Sequence, residues 1–230
     1  KDFVILMVGR KRSISFPGQQ PKLETKGSDM DFNYKEYRKH LDELMADNKT
    51  TGPNQDDWLV DYARLNIQRM KRWENTWQPE EKQEELLLSI ETPMTWLTLT
   101  EGWCGDAAQI IPIIDKLAQV NPLIEHKLVL RDENPALMDK FLTDGARAIP
   151  KTIFIDTETQ LIYGSWGPRP RPARDLLKTL MDKKELPKEA IYSHLHAWYA
   201  RDKGNHTARE FLQHLAEALV RREAGTPINS

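Results

Sequence analysis

Strand-like and helix-like segments alternate along the middle of the chain, and this alternation limits the possible folds more than any other feature of the sequence. Short segments rich in β-branched and aromatic residues predict strands, and apolar residues at helical spacing predict helices. The predicted strands are 94–100, 126–131, 152–156 and 161–163, and the predicted helices are 107–118, 135–142 and 175–182. This β-α-β-α-β-β-α order predicts an α/β fold in which a mixed central sheet carries helices on both faces.

Amphipathic helices are predicted on both sides of this core. Four further segments are predicted as amphipathic helices from their apolar residues, and a fifth from Pro79, which suits the first helical position, followed by Glu80 and Glu81 at the positive helix end. These segments are 33–48, 56–75, 79–91, 191–199 and 207–222. We therefore expect a helical N-terminal extension at residues 30–92 packed on the core, the core domain at 93–186, and C-terminal helices with a tail at 187–230.

Residues 1–29 differ from the rest of the chain in composition. They are rich in Lys, Gly, Ser and Gln with little periodicity, and Gly27-Ser28-Asp29-Met30 has the character of a junction before a natural start. We expect this segment to be an extension that either derives from cloning or a mis-started frame, or is disordered. The alternative is an edge strand at 3–8, where the chain has a short apolar run.

The charge balance and the single cysteine indicate the class of partner and the compartment. Lys and Arg total 33 against 35 Asp and Glu, a formal net charge of -2, which gives no electrostatic case for nucleic acid or an anionic membrane. The apolar run at 3–8 is too short to span a membrane and lacks a signal-peptide cleavage pattern. Because Cys104 is the only cysteine, no intramolecular disulfide can form, and we expect a cytoplasmic protein.

The segment Trp103-Cys104-Gly105-Asp106-Ala107 lies where a predicted strand gives way to a predicted helix. A thiol in the first turn of a helix faces unpaired amide hydrogens and the positive end of the helix dipole. Both favour the thiolate, which is the nucleophilic form of cysteine. Cys104 is therefore the candidate catalytic residue.

This segment resembles the Trp-Cys-Gly-x-Cys active-site loop of the thioredoxin-like superfamily. Three further features are in register with that family: Pro112 matches the proline in the active-site helix, Pro150 within Ala148-Ile149-Pro150-Lys151-Thr152 matches the cis-proline loop, and Gly167 matches the groove glycine. The chain is most similar to bacterial thioredoxin family proteins with a Trp-Cys-Gly-Asp loop. The resemblance covers residues 93–180 and leaves the flanking helices outside it.

The resemblance implies a thioredoxin-like fold with a substrate groove around Cys104. The residues that it places in this groove are Trp103, Gly105, Asp106, Ile149, Pro150 and Gly167. It also implies a cis peptide bond before Pro150, which would leave the Ile149 backbone beside the sulfur, free to pair with an extended substrate.

Two departures from the family pattern, and the charge of Asp106, bear on the chemistry. Ala107 occupies the position of the resolving cysteine, so a disulfide between Cys104 and a substrate cannot be released from within the motif. Thr98 stands where thioredoxins usually have a buried acid that assists proton transfer. Asp106 places a negative charge near the sulfur, which opposes part of the effect of the helix dipole.

Two functions remain open at this point. The first is monothiol disulfide exchange or redox sensing through Cys104, with a protein or small-thiol disulfide as substrate and an external low-molecular-weight thiol to release it. The alternative is a non-catalytic adaptor that uses the thioredoxin fold to bind a partner protein, through the groove or through the helical extensions.

Arginines follow the groove glycine in Gly167-Pro168-Arg169-Pro170-Arg171-Pro172-Ala173-Arg174. Arg169 and Arg171 are candidates for binding a carboxylate or phosphate, and the alternating prolines predict a stiff, extended loop. The alternative is a solvated connection into the next helix. No metal site is predicted, because His194 and His196 are two apart, on different faces of a helix, with no other ligand to complete a set.

Overall fold

A four-stranded mixed sheet runs through the centre of the computed structural model, which describes residues 31–183 and 186–228. Its strands are β1 (Met94–Thr100), β2 (Ile124–Leu130), β3 (Lys151–Asp156) and β4 (Ile162–Trp166). In the order β2-β1-β3-β4, strand β1 is parallel to β2 and antiparallel to β3, which in turn is antiparallel to β4. The predicted mixed sheet is confirmed. The predicted extension at 1–29, with its alternative strand at 3–8, lies outside the described residues.

Eight helices surround the sheet within the described residues. They are α1 (Tyr34–Ala46), α2 (Asp57–Thr76), α3 (Glu81–Leu88), α4 (Gly105–Ala118), α5 (Pro135–Met138), α6 (Arg171–Met181), α7 (Lys188–Asp202) and α8 (Asn205–Glu223). All of them were expected from the sequence. None of these helices combines the length and apolar character that crossing a membrane requires.

Helices α5 and α6 differ most from prediction. The prolines before residue 174 do not hold an extended loop, so that prediction was wrong. Pro170 precedes the first residue of α6 and Pro172 lies within its first turn, where the fixed φ of proline and its missing N–H are tolerated. Helix α5 ends at Met138, and soon after it Thr143 and Ala146 exchange two backbone hydrogen bonds, both 2.9 Å, in a tight turn.

Both faces of the sheet are buried, and every residue of β1 is buried. Successive side chains of a strand point to opposite faces. Trp96 therefore packs in one core cluster, and its neighbour Leu97 packs in a second cluster with Tyr37 of α1. Because both faces are covered, the threonines of β1 are buried together with its apolar residues.

The ring of Phe211 in α8 lies at the centre of the first cluster. Its centroid is 4.9 Å from that of Trp96, 5.3 Å from that of Phe154 and 5.7 Å from that of Trp166, in edge-to-face arrangements. Such geometry adds to the stabilisation that burial provides. Helix α8 is thus an integral part of the core.

A left-handed turn between α7 and α8 sets the direction of α7. Lys203 has φ 56° and Gly204 has φ 80°. A side chain at Gly204 would also lie only 2.7 Å from Ile113 Cδ1 and 2.8 Å from Trp77 Nε1, so the close approach of these groups requires glycine. The turn brings α7 back toward the beginning of α4.

We expect Phe211→Ala to lower the free energy of unfolding by about 3–5 kcal/mol, because it removes a fully buried ring and leaves a cavity. Urea denaturation followed by circular dichroism measures this change. Val220→Ala is the matched control, since Val220 lies on the same helix and is 65% exposed, and it should change the stability by less than about 0.5 kcal/mol. A loss below about 1 kcal/mol in Phe211→Ala would contradict the central place of α8.

Candidate functional site

Cys104 lies at the N-cap of α4, directly after the loop that leaves β1. Its backbone N–H donates to the Glu101 carbonyl oxygen at 3.0 Å. Its sulfur accepts a hydrogen bond from the Ala107 N–H at 3.5 Å, and its S–H donates to the Ile149 carbonyl oxygen at 3.4 Å. The residue is 8% exposed. The predicted placement at the start of a helix is confirmed, but the thiol is covered.

The environment of Cys104 favours the protonated thiol. Burial and the negative charge of Asp106 raise its pKa to about 12, although the Ala107 N–H and the charge of Arg169 act in the opposite direction. The amide at the helix start acts in the expected direction on the thiol, but burial and Asp106 outweigh it. Removal from water penalises the charged form more than the hydrogen bond and the nearby cation stabilise it.

Asp106 connects three segments of the chain around the thiol. Its Oδ2 accepts hydrogen bonds from the Arg169 guanidinium, with Nε at 3.1 Å, and its Oδ1 accepts one from the Tyr199 hydroxyl at 2.7 Å. Although burial opposes the charged guanidinium, Asp106 raises the pKa of Arg169. The anion that Arg169 binds in this structure is thus a carboxylate of the same chain. The second candidate, Arg171, is exposed on α6 and pairs with Asp175 at 3.7 Å.

Three of the groove residues implied by the family resemblance, Ile149, Pro150 and Gly167, lie together beside Cys104. Ile149 and Pro150 are buried and are joined by a cis peptide bond. Gly167 has φ 129°, and a Cβ there would overlap with the Pro150 carbonyl oxygen, so this position accepts only glycine. Trp103 is half-buried, and the Arg131 guanidinium carbon lies 4.7 Å from the centroid of its ring.

Tyr62 of α2 and His196 of α7 cover the beginning of α4. A Cβ on Gly105 would overlap with the Tyr62 hydroxyl oxygen and would lie 2.9 Å from His196 Cε1. These two side chains cover the backbone of Gly105, next to Cys104. Sequence reasoning missed them, and assigned His196 only to packing or the surface, because periodicity shows which residues share a helix face but not which helix that face meets.

A chain of hydrogen bonds determines the protonation of His196. Gln109 Oε1 accepts from Arg72 Nη2 at 3.0 Å and from Trp73 Nε1 at 2.7 Å, so Gln109 Nε2 donates to His196 Nδ1 at 3.0 Å. His196 Nε2 therefore carries the proton and donates to the Tyr62 oxygen at 2.7 Å. Burial, assisted by the charge of Arg69, lowers the pKa of His196 to about 4, which agrees with a neutral ring. The Tyr62 hydroxyl hydrogen is then free to donate beside Gly105.

Thr98, at the position of the family's buried acid, belongs to a buried polar chain. Its hydroxyl is 2.8 Å from Thr152 Oγ1 and 3.1 Å from His126 Nε2, and His126 Nδ1 lies 3.1 Å from Asp115 Oδ1.

A different acid, Glu101, is buried three residues before Cys104, and sequence reasoning did not single it out. Burial raises the pKa of Glu101, and its Oε2 has no hydrogen-bond partner among the described residues. Within residues 31–183 and 186–228, no group of three or more His, Cys, Asp or Glu could hold a metal ion.

Comparison with known proteins places this site in a family context. A family model described as Thioredoxin matches residues 52–184, which is more than half of the chain. The match begins before the region of resemblance recognised in the sequence and takes in α2 and α3. No curated protein matches the chain.

Two solved structures are similar to the chain. A protein of unknown function from Pseudomonas aeruginosa is 18% identical, with a TM-score of 0.49 over 81% of this chain and 99% of that one. An HIV epitope-scaffold is 17% identical, with a TM-score of 0.48 over 76% of this chain and 96% of that one.

We expect Asp106→Asn to lower the pKa of Cys104, because it removes a negative charge that raises this pKa and leaves the Arg169 charge that lowers it. A fall of about one unit would speed alkylation by iodoacetamide at pH 8 about tenfold. Asp175→Asn, which removes an exposed acid, is the control and should leave the rate unchanged. An unchanged or slower rate in folded Asp106→Asn protein would contradict this account of the electrostatics.

Proposed function

The chain belongs to the thioredoxin family, and from this premise we propose that it is a non-catalytic adaptor that uses the thioredoxin fold to bind a partner protein. The state of Cys104 carries the proposal. Its sulfur is buried, its S–H is bound to the Ile149 carbonyl oxygen, and burial together with Asp106 raises its pKa to about 12. A protonated, covered thiol is a poor nucleophile.

The surroundings of Cys104 support the same proposal. Ala107 leaves the motif without a resolving cysteine, so no thiol of the motif can attack and release a mixed disulfide formed at Cys104. The Ile149 carbonyl, which a substrate strand would need for backbone pairing, already accepts the Cys104 S–H. Tyr62 and His196 occupy the space above Gly105. A substrate disulfide would have to displace these contacts before reaching the sulfur.

The helical extension offers a surface for the partner protein. Trp58 and Leu65 of α2 are 64% and 47% exposed and lie seven residues apart, on the same side of the helix. Large apolar side chains exposed together are typical of protein-binding surfaces, and tryptophan is enriched where binding energy is concentrated. We therefore propose contact through α2 rather than through the groove, in a cytoplasmic protein of bacterial origin.

Monothiol disulfide exchange or redox sensing is the second candidate. The N-cap position of Cys104 and the Ala107 N–H directed at its sulfur favour it, since both would stabilise a thiolate once the cover moved. The Cys104 thiolate would attack one sulfur of a substrate disulfide and expel the other as a thiolate. An external low-molecular-weight thiolate would then attack the substrate sulfur of the mixed disulfide and release the Cys104 thiolate.

The pH dependence of Cys104 alkylation distinguishes the two functions. With a pKa of about 12, Cys104 should react with iodoacetamide at pH 8 roughly three orders of magnitude more slowly than a free thiol with a pKa of about 8.5. The same protein unfolded in urea is the control and should react at the free-thiol rate. An apparent pKa at or below about 8.5 in the folded protein would overturn the adaptor proposal.

Restoring the missing cysteine tests the groove directly. We expect Ala107→Cys to remain folded but to gain no insulin disulfide reductase activity, because Cys104 stays covered and protonated. Measuring the turbidity of reduced insulin in the presence of dithiothreitol checks this. The double variant Ala107→Cys with Cys104→Ser provides the background rate. Activity clearly above that background would favour the monothiol candidate.

A further inference from the structure

A small cleft on the outer face of α2 is lined by Leu65, Gln68, Arg69 and Arg72, with a volume of about 230 Å³. Residues three and four apart on a helix are neighbours on its surface, and Arg69 and Arg72 both line this cleft. Leu65 is 47% exposed and contributes an apolar wall. The cleft therefore combines two cations with an apolar edge.

Both guanidinium groups are held in place by contacts within the protein. Arg69 Nη1 donates to Asn66 Oδ1 at 2.6 Å, and its guanidinium carbon lies 4.9 Å from the centroid of the Tyr62 ring. Arg72 Nη2 donates to Gln109 Oε1 at 3.0 Å, and its guanidinium carbon lies 4.3 Å from the Trp73 ring centroid. A ligand would therefore meet cations whose side chains are already largely ordered, which reduces the entropy lost on binding.

Neither arginine has an acidic partner in the part of the chain that the structure describes. No carboxylate lies within 4.0 Å of Arg69 or Arg72, whereas Arg38, Arg169 and Arg222 each pair with an acid. Burial and the charge of Arg69 lower the pKa of Arg72, as expected for like charges without a counter-ion. His196, which lies beyond Gln109, is neutral and adds no charge.

We propose that this cleft binds a phosphate group, held as a dianion between Arg69 and Arg72. Each guanidinium has five N–H donors and uses one of them in the side-chain bonds to Asn66 and Gln109, so donors remain for forked pairing with phosphate oxygens. A phosphate dianion neutralises both cations, whereas a carboxylate neutralises one. The apolar wall at Leu65 suits the organic part of a phosphomonoester, and free phosphate shares the same chemistry.

The cleft is connected to both segments that flank Cys104. Asn66, which holds Arg69, also donates from Nδ2 to the Gly102 carbonyl oxygen at 3.0 Å. Gln109, which holds Arg72, lies on α4 itself. A phosphate bound here would reinforce the contact of α2 with the Cys104 loop and helix. Its binding does not depend on the thiol, so it can be tested whichever function is assigned to Cys104.

Isothermal titration calorimetry with the full chain at pH 7.5 and constant ionic strength tests the proposal with three ligands: inorganic phosphate, O-phosphoserine and acetate. We expect saturable binding of at least one phosphate ligand and at least about tenfold weaker binding of acetate. Tighter binding of O-phosphoserine would identify a phosphomonoester as the ligand, and equal or tighter binding of inorganic phosphate would identify the free ion. The absence of saturable phosphate binding, or equal binding of acetate, would overturn the proposal.

Variants on α2 locate the site. Arg69→Gln and Arg72→Gln should each weaken phosphate binding at least about tenfold, because each removes one of the two charges. Arg64→Gln is the matched control, since Arg64 lies on the same helix but pairs with Asp61 at 2.9 Å, and its affinity should equal that of the wild type. Arg69→Lys and Arg72→Lys keep the charge and lose the fork. If a Gln variant does not fold, the Lys variant at the same position replaces it in the titration. Wild-type affinity for phosphate in both Lys variants would overturn the proposal.

Discussion

The hydrogen bonds to the Asp106 carboxylate hold together the segments around Cys104. Asp106 lies in the first turn of α4 and binds both Arg169, from the loop before α6, and Tyr199, from α7. A buried carboxylate requires such partners, because an uncompensated charge in the interior costs several kcal/mol. The same group raises the pKa of Cys104 and anchors the helix that covers it, so the reactivity of the thiol and its access to solvent have a common origin.

Much of the fold could be predicted because its signals are local. The apolar, β-branched segment of β1 and the motif at residues 103–107 lie within a few positions of each other, and the periodicity of α4 follows directly. The start of α6 could not be placed in the same way. Pro170 and Pro172 lie one position before and one position after the first residue of α6. Prolines so placed suit either an extended loop or a helix start, and only the packing of the finished domain selects between them.

The candidate site was harder to predict than the fold because its decisive contacts join distant positions. Asp106 and Tyr199 are separated by 93 residues, and Tyr62 and His196 by 134. Nothing in the local pattern of one sequence links such pairs. The raised pKa of the Cys104 thiol could not be predicted for the same reason. The start of the helix is visible in the sequence, but the degree of burial, which dominates the pKa of Cys104, arises from α7 and the loops packed around it.

The position of Phe211 has a consequence for how the chain folds during synthesis. The ring that fills the space between Trp96 and Phe154 belongs to α8, which emerges from the ribosome after every strand of the sheet. Until then, one face of the nascent sheet exposes large aromatic side chains without their partner. Domains generally fold as complete units during translation, and exposed apolar surface on an unfinished sheet promotes aggregation. Packing of α8 onto the sheet therefore covers these aromatic side chains and removes an aggregation-prone surface.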